Sequence, residues 1–568
     1  MTTPSDNPRA TPRVRIAVFS GPTATIGNSP DLVTSNKARR RHGLDPLTTL
    51  DGATPRFDLL RPQRLAAPVT VYVDAYTAHP LEADARELYA LPDGWLNARG
   101  EFQSAEPDDG GTPVYEVELR PDDGLYPLPY MARQADGSAW DATTTFPFAP
   151  PAHSRQTFYP DARRVYEEIE RFGLEDHGHP IDLSTRAEFD FFRPAPSGGY
   201  RTSHDDDGPE SFGEDYFPYY PYHLQREPDL ATLARATNLV QQVLASGVYI
   251  GAQWLEGSPT TEETLYWLAL LVDTTVPIVG HTAQRRHQSA SADGARNIID
   301  GVKFLVSSAA VDQTGRNRLG AVLIVDELVY SAREVTKVDA RPGGYEATGG
   351  HGGIVADMGG YGPPRVTYTP TYLHTHSSDV RLSHLPTTVS GVTGEPGEIR
   401  LIEITVKDAD GYLVPDAMPV VSITKYGRYG RMSTGPDEAP DTGSEVEVLG
   451  RIAANLDDAP LAGFVCEGMS PFGMSSPAAN SALATAVFSG MPVVRVGRGN
   501  TGGMAYRTDP IFISGSNLTS TKARMLLMAA LLKLGALPVA EDPTNPTPAE
   551  RTATEQAVAT YQHIFDTH

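Results

Sequence analysis

A single cysteine in 568 residues, Cys466, excludes a disulfide framework. It lies in the apolar stretch AGFVCEG, the setting of a buried structural thiol rather than of a nucleophile. Basic residues are in the minority too: Lys and Arg number 47 against 71 Asp and Glu, a formal net charge of -24. Phosphate binding needs clustered Lys and Arg, so nucleic acid is excluded as a partner, and the short basic run Lys37 to Arg41 reads as a solvated loop. Long apolar runs are missing as well. None approaches the roughly 18 residues that a membrane span needs, and the opening MTTPSDNPRATPR is polar and Pro-rich without the apolar centre of a secretory signal. A soluble, cytoplasmic protein with no membrane partner is expected.

Apolar material for large cores is nevertheless ample, at 40% of the chain. Strand-like runs recur at 14–20, 69–76, 247–254, 276–280 and 320–327, and again at 399–406, 462–468, 492–497 and 510–514. Helical patterns lie between many of them, at 229–246, 260–273, 295–309 and in SALATAVFSG. Apolar strands alternating with helices predict an α/β fold with parallel sheets covered on both faces. A β-rich insertion is expected at about 45–225, where Pro, Asp, Gly and Tyr accumulate, and an interdomain connection at 363–398. The expected organisation is a flexible N-terminus (1–12), a larger α/β domain (13–362) carrying the insertion, and a smaller, Rossmann-like α/β domain (399–568). His374, His376 and His384 in the connection lack a metal-site spacing and read as hydrogen-bonding histidines.

In open α/β sheets ligands bind at the carboxyl ends of strands. Three loops there carry reactive groups. SGPTATIGNS follows the first strand, with Thr23 and Thr25 as hydroxyls. Gly257-Ser258-Pro259 precedes the helix at 260, which Thr260 and Glu263 are placed to cap. SAREVTKVDA follows the strand at 320–327 and carries Lys337. A hydroxyl at a helix N-terminus favours a developing oxyanion, and a partly desolvated Lys is a potential base. Taken singly, Ser258 reads as a cap residue and Lys337 as a surface charge.

Taken in order, these segments resemble the bacterial L-asparaginase/glutaminase family. GSPTTEET is similar to its Gly-Thr-Asp-Thr-x-Glu-Glu-Thr segment, SASADGARN to its Ser-x-Ser-Ala-Asp-Gly-x-x-Asn, and REVTK to its Arg-(Asp/Glu)-Val-x-Lys. HSSD, TAVFSGMPVVRVGRGNTGG and ISGSNLTSTKARMLLMAALL resemble its smaller C-terminal domain. The resemblance implies a two-domain asparaginase-like fold and hydrolysis of an amide through a Thr nucleophile and an acyl-enzyme, with neither metal nor organic cofactor. It carries the nucleophile onto Thr23, the second catalytic hydroxyl onto Ser258 and the catalytic lysine onto Lys337. Thr25, Gly257, Pro259, Tyr222, His223 and His281 become the expected substrate contacts. It also implies a homo-oligomer, a dimer or tetramer.

Three departures redirect the substrate. The family's carboxylate after the second threonine, which grips the substrate's α-amino group, is Pro259 here; Tyr222-His223 stand where a Ser-Gln pair holds the α-carboxylate; and the mobile-loop tyrosine is missing. Desolvating an ammonium without a carboxylate is costly. The expected substrate is therefore an amide, imide or lactam other than free asparagine or glutamine. A catalytically silent binding or scaffold protein on the same fold is the rival expectation.

Overall fold

Strands that are apolar on both faces need cover on both sides, and that requirement organises the chain. The computed structural model describes residues 14–21, 32–34, 69–73, 92–97, 102–108, 110–119, 133–134, 166, 169, 181–192, 216–218, 229–285, 291–341, 343–347, 352–359, 362–372, 374–426, 443, 445–499 and 509–568. Its larger sheet uses β1 (Arg15–Ser20), β2 (Glu188–Phe192), β3 (Gly251–Leu255), β4 (Ile278–His281), β5 (Ala321–Val325) and β6 (Leu328–Ser331). After a separate hairpin of β7 (Val335–Lys337) and β8 (Tyr345–Ala347), β9 (Ile354–Asp357) and β10 (Arg365–Val366) complete it. The order across the sheet is β10-β9-β6-β5-β4-β3-β1-β2. Pairings from β5 to β2 are parallel, whereas β6, β9 and β10 run antiparallel, so the sheet is mixed rather than wholly parallel as expected.

The insertion expected at 45–225 is not wholly separate from this sheet. Residues within 69–134 do form their own five-stranded antiparallel sheet. β2, however, falls inside the same stretch and is the edge strand beside β1, with Arg15 ion-paired to Asp190. Glu188 and Asp190 set between Phe residues in β2 suit an edge strand, and this hid its membership of a sheet whose central strands are largely apolar.

Among the elements described along their length, three helices cover the sheet: α1 (Leu230–Ala245), α2 (Thr260–Leu271) and α3 (Gly294–Val306). Alternation along the strands sorts the packing. Ile16, Val18, Val279 and Ile324 join α3 on one face, and Ala17, Phe19 and Trp254 join α1 and α2 on the other. Asp229 caps α1, its carboxylate accepting from the Thr232 N–H at 2.6 Å. α2 begins differently from the expected Thr260–Glu263 box. Pro259 holds the cap position without a side-chain bond, and Thr261 Oγ1 donates to the Gly257 carbonyl at 3.0 Å.

The stretches at 363–398 and 399–406 also differ from expectation. β11 (Thr388–Glu395) lies in the expected connection, buries Val389 and Val392, and pairs antiparallel with β12 (Glu398–Thr405) in a two-stranded ribbon. β12 is largely exposed and adds nothing to a parallel sheet. The second sheet begins later, with β13 (Val420–Lys425), β14 (Ala462–Gly468), β15 (Val493–Gly497) and β16 (Ile513–Ser514), parallel and in chain order. Around it pack α4 (Val446–Asp458), α5 (Pro477–Phe488), α6 (Ser520–Leu534) and α7 (Pro548–Thr567). Cys466 is buried in β14, and His374 is buried with its ring stacked 5.2 Å from that of His568. Among the described residues no helix is long and apolar enough to cross a membrane.

One apolar cluster runs through both sheets, because α2 packs directly on α6. Lys522 of α6 is 1% exposed, and its ammonium donates to the carbonyls of Glu262 and Ala332, the latter at 2.6 Å. Arg524 pairs with Glu263, drawing that carboxylate away from the helix start. Burial lowers the Lys522 amine to about 8, against the opposing pull of Glu262.

Lys522→Met keeps the length and apolar stem of the side chain but strands two buried carbonyls. It should destabilise the protein by about 2–4 kcal/mol. Urea unfolding at pH 7 measures this; a loss below about 0.5 kcal/mol would mean that the ammonium does not join the two halves.

Candidate active site

β1, β3 and β4 are adjacent and parallel, so their carboxyl ends open side by side. The backbone registers them: Gly21 N–H donates to the Leu255 carbonyl at 2.7 Å, and Glu256 N–H to that of His281 at 3.1 Å. Gly21 has no room for a side chain, since a Cβ there would lie 2.9 Å from the Trp254 ring and 3.0 Å from Cβ and Cδ of Glu256. The next residues on β3's loop are Gly257 and Ser258, both half-buried, and the exposed Pro259, joined to Ser258 by a cis peptide. From the other side, residues 32–34 pair antiparallel with 216–218, so the backbone beyond the first loop meets the Tyr-rich end of the insertion.

The β7–β8 hairpin brings in Lys337. Its backbone N–H donates to the Glu262 carboxylate, which sets the hairpin over the first turn of α2. Lys337 and Tyr345 are directly paired across the hairpin, so their side chains share a face. The Lys337 ammonium is 5.4 Å from the Tyr345 ring centroid and donates to the side-chain oxygen of Gln284 and to the Arg341 carbonyl (3.0 Å). The Tyr345 hydroxyl donates to Ser258 Oγ at 2.8 Å. Among the described residues Ser258 and Lys337 make no direct hydrogen bond; Tyr345 lies against both.

The loop after β4 is held by the SADGARN segment. Asp293 accepts from the backbone N–H groups of Gln284 (3.0 Å) and Arg285 (2.8 Å). Asn297 donates to the Thr282 carbonyl (2.7 Å) and accepts from the Asp326 N–H (3.1 Å). The spacing Asp-x-x-x-Asn thus serves one helical turn of α3 that clamps the rim of the site, and it could have been read as an i, i+4 pair.

Glu256, unremarked in the sequence, is the unusual charge of this edge. It is 4% exposed, one carboxylate oxygen accepts from Trp254 Nε1 at 2.8 Å, and the other has no hydrogen-bond partner. Burial pushes its carboxyl up to about 7, outweighing the indole hydrogen bond. Among the described residues the Gln284 amide nitrogen is likewise buried without a partner. Lysine can only donate, so it claims the Gln284 oxygen and leaves the amide N–H groups unused. Unsatisfied polar atoms collected at a sheet's carboxyl edge mark a place built for a ligand.

His281 is a correction. Expected to contact substrate, it is 2% exposed and points under the sheet, 2.9 Å from the Gln253 side-chain nitrogen and against Gly301 of α3. Strand alternation turns it to the α3 face, and burial lowers its imidazole to about 3. Thr23, Thr25, Tyr222 and His223 lie outside the described residues. Tyr345 was missed because nothing in YEATGG signals a hairpin paired with Lys337.

Comparison with known proteins agrees with this arrangement of segments. Residues 227–343 match the family model described as asparaginase, N-terminal. A glutaminase-asparaginase of Acinetobacter glutaminasificans is 33% identical over 112 residues, 20% of this chain and 31% of the relative, so the chain matches under a third of that protein's length. L-asparaginase 2 of Bacillus subtilis is 27% identical over 314 residues, 54% of this chain and 67% of the relative. A crystal structure of a probable cytoplasmic L-asparaginase from Campylobacter jejuni aligns with 70% of this chain and 94% of its own at 18% identity, TM-score 0.44.

The Glu256 carboxyl gives a stability prediction. Its value rises on folding from an ordinary 4.5 to about 7, so its contribution is intact below pH 4.5 and is lost as pH rises through 7. The loss amounts to about 3 kcal/mol when complete. Glu256→Gln stays neutral throughout, so the stability gap between variant and parent should move in the variant's favour by about that amount between pH 5 and 8. Parallel pH profiles for the two proteins would contradict the assignment.

Proposed function

We propose that the chain is a member of the asparaginase family and an amidohydrolase acting on a carbon–nitrogen bond other than a peptide bond. Thr23 is the nucleophile in this reading. Its Oγ attacks the carbonyl carbon, the C–N bond breaks, and the hydroxyl proton passes to the departing nitrogen; water then cleaves the resulting ester. Ser258 and Lys337 form the pair that handles the proton. The observation that carries the reading is the meeting, at one sheet edge, of Ser258, Tyr345 and Lys337 on the loops beside Gly21, two residues before Thr23. No metal or organic cofactor enters the scheme.

The substrate is an amide, imide or lactam rather than free asparagine or glutamine. Position 259 offers an exposed apolar ring where a carboxylate would hold an ammonium. Glu256 does not replace it readily, since burial keeps its carboxyl protonated up to about neutrality. Loss of one charge-assisted contact costs about 2–5 kcal/mol. Tyr222 and His223, with Thr25 and Gly257, complete the substrate-contacting set. We further propose a cytoplasmic homo-oligomer, dimer or tetramer, with the insertion bordering the site; light scattering at micromolar concentration reading only monomer would contradict the assembly.

Two experiments test the activity. Asparagine, glutamine, succinamide, glutarimide and 2-pyrrolidinone are incubated with the protein and followed by proton NMR. At least one of the last three should be hydrolysed, with kcat/KM for asparagine and glutamine below about 10⁴ M⁻¹s⁻¹. Hydrolysis of none would favour a silent scaffold. Thr23→Ala and Lys337→Met should each lower kcat by about 10³-fold or more without unfolding the chain; near-parental turnover by both would end the mechanism.

A further inference from the structure

We propose that Tyr345 is a positioning residue of this site, its phenol holding the Ser258 hydroxyl as a hydrogen-bond donor aimed at the bond to be cleaved. The inference rests on the amidohydrolase reading above and assigns a role to a residue outside the expected set.

A serine hydroxyl has one proton and two lone pairs. Ser258 Oγ accepts from the Tyr345 hydroxyl at 2.8 Å, and among the described residues it has no other hydrogen-bond partner. One lone pair is therefore occupied, and the serine proton is left for whatever enters the cleft. The Tyr345 hydroxyl is the donor of this bond. Tyr345 is 3% exposed, and burial pushes its phenol up to about 12, so it remains protonated, and a donor, across the working pH range. A hydroxyl that already accepts a hydrogen bond becomes a better donor in its turn.

The phenol is itself fixed. Tyr345 is locked opposite Lys337 in the β7–β8 ladder, and its carbonyl accepts from the Tyr330 hydroxyl at 3.3 Å. The Lys337 ammonium over the ring, 5.4 Å from its centroid, draws electron density from the face and strengthens the O–H as a donor. Lys337 thereby acts on Ser258 through an aromatic ring instead of by contact. No proton leaves Tyr345 in this role, since it donates one hydrogen bond throughout the cycle. The serine proton meets the acyl oxygen or the departing nitrogen as negative charge develops there, the moment at which a polarised donor matters most.

A double-mutant cycle on the fastest amide of the panel tests this. Tyr345→Phe should lower kcat about 10- to 100-fold with KM changed less than about threefold. In a Ser258→Ala background, where the hydroxyl it positions is gone, the same substitution should change kcat less than about threefold. Independent, multiplying losses would overturn the proposal, because a ring that merely packs is felt in either background. A normal Tyr345→Phe with an impaired Ser258→Ala would overturn this proposal alone. Parental kcat in Ser258→Ala, or an amide panel that is never hydrolysed, would instead remove the underlying reading of the site. If Tyr345→Phe does not fold, 3-fluorotyrosine incorporated at 345 keeps the ring and hydroxyl but acidifies the phenol. That change should alter kcat in the protein that keeps Ser258 and leave it unaltered in the Ser258→Ala background, and an equal effect in both would overturn the proposal.

Discussion

The burial of α2 is the constraint on which the rest of the molecule depends. Ten of its twelve residues are buried, Leu265, Tyr266, Trp267 and Leu268 completely, so the helix has almost no face for water. Such a helix is stable only between two apolar layers, and the larger sheet with α1 supplies one and α6 the other. Its few polar atoms are matched individually. Trp267 Nε1 donates to Thr237 Oγ1 of α1 at 2.7 Å, the Tyr266 hydroxyl to the His568 carbonyl at 3.2 Å, and Lys522 to the Glu262 carbonyl. With the helix held on every side, its first turn cannot shift, and Gly257, Ser258 and Pro259 are fixed at the carboxyl edge of β3.

That rigidity explains how the edge can hold polar atoms that are left unsatisfied. The acidic side chains near Ser258 divide the work. Glu262 and Asp293 accept backbone N–H groups and so position the β7–β8 hairpin and the loop after β4. Glu256 makes one indole hydrogen bond, keeps one oxygen unused, and has its carboxyl raised to about 7 by burial. The scaffold carboxylates are satisfied and the one inside the cleft is not, which is the arrangement that leaves chemistry available rather than neutralised. Arg333 supports the same edge from beneath, donating to Asn517 at 3.0 Å and to the His568 carbonyl at 2.6 Å, so the second sheet's loops brace the first sheet's hairpin.

Sequence periodicity located α1, α2, α3 and α5, the strands β1, β3, β4 and β5 of the larger sheet and β14, β15 and β16 of the second, because those elements bury one or both faces and their patterns are strong; β6, β9, β10 and β13 went unread. It misjudged elements whose environment is set from a distance. The expected strand at 399–406 is apolar enough for a sheet interior, yet it pairs only with β11 and leaves Leu401 57% exposed. β2 reads as part of the Pro- and Gly-rich insertion and becomes an edge strand only because β1 offers it a free side. His281 shows the finer limit. Its position one residue past an apolar strand suited a ligand contact, but the pleat turns it into the α3 layer.

What the amino-acid sequence determined by itself is the ordered set of loops, SGPT, GSP and REVTK, each following an apolar strand. Those features are local: they depend on neighbouring residues and on the period of the pattern. The tertiary structure alone decided that Tyr345 stands against Ser258 and Lys337, that Asp293 clamps the rim, and that the unused carboxyl belongs to Glu256. Residues 258 and 345 are 87 apart in the chain and meet only because β3 precedes a buried helix whose Glu262 seats the β7–β8 hairpin. The Glu256 shift comes from desolvation by groups distant in sequence, a quantity that does not exist until the chain is packed.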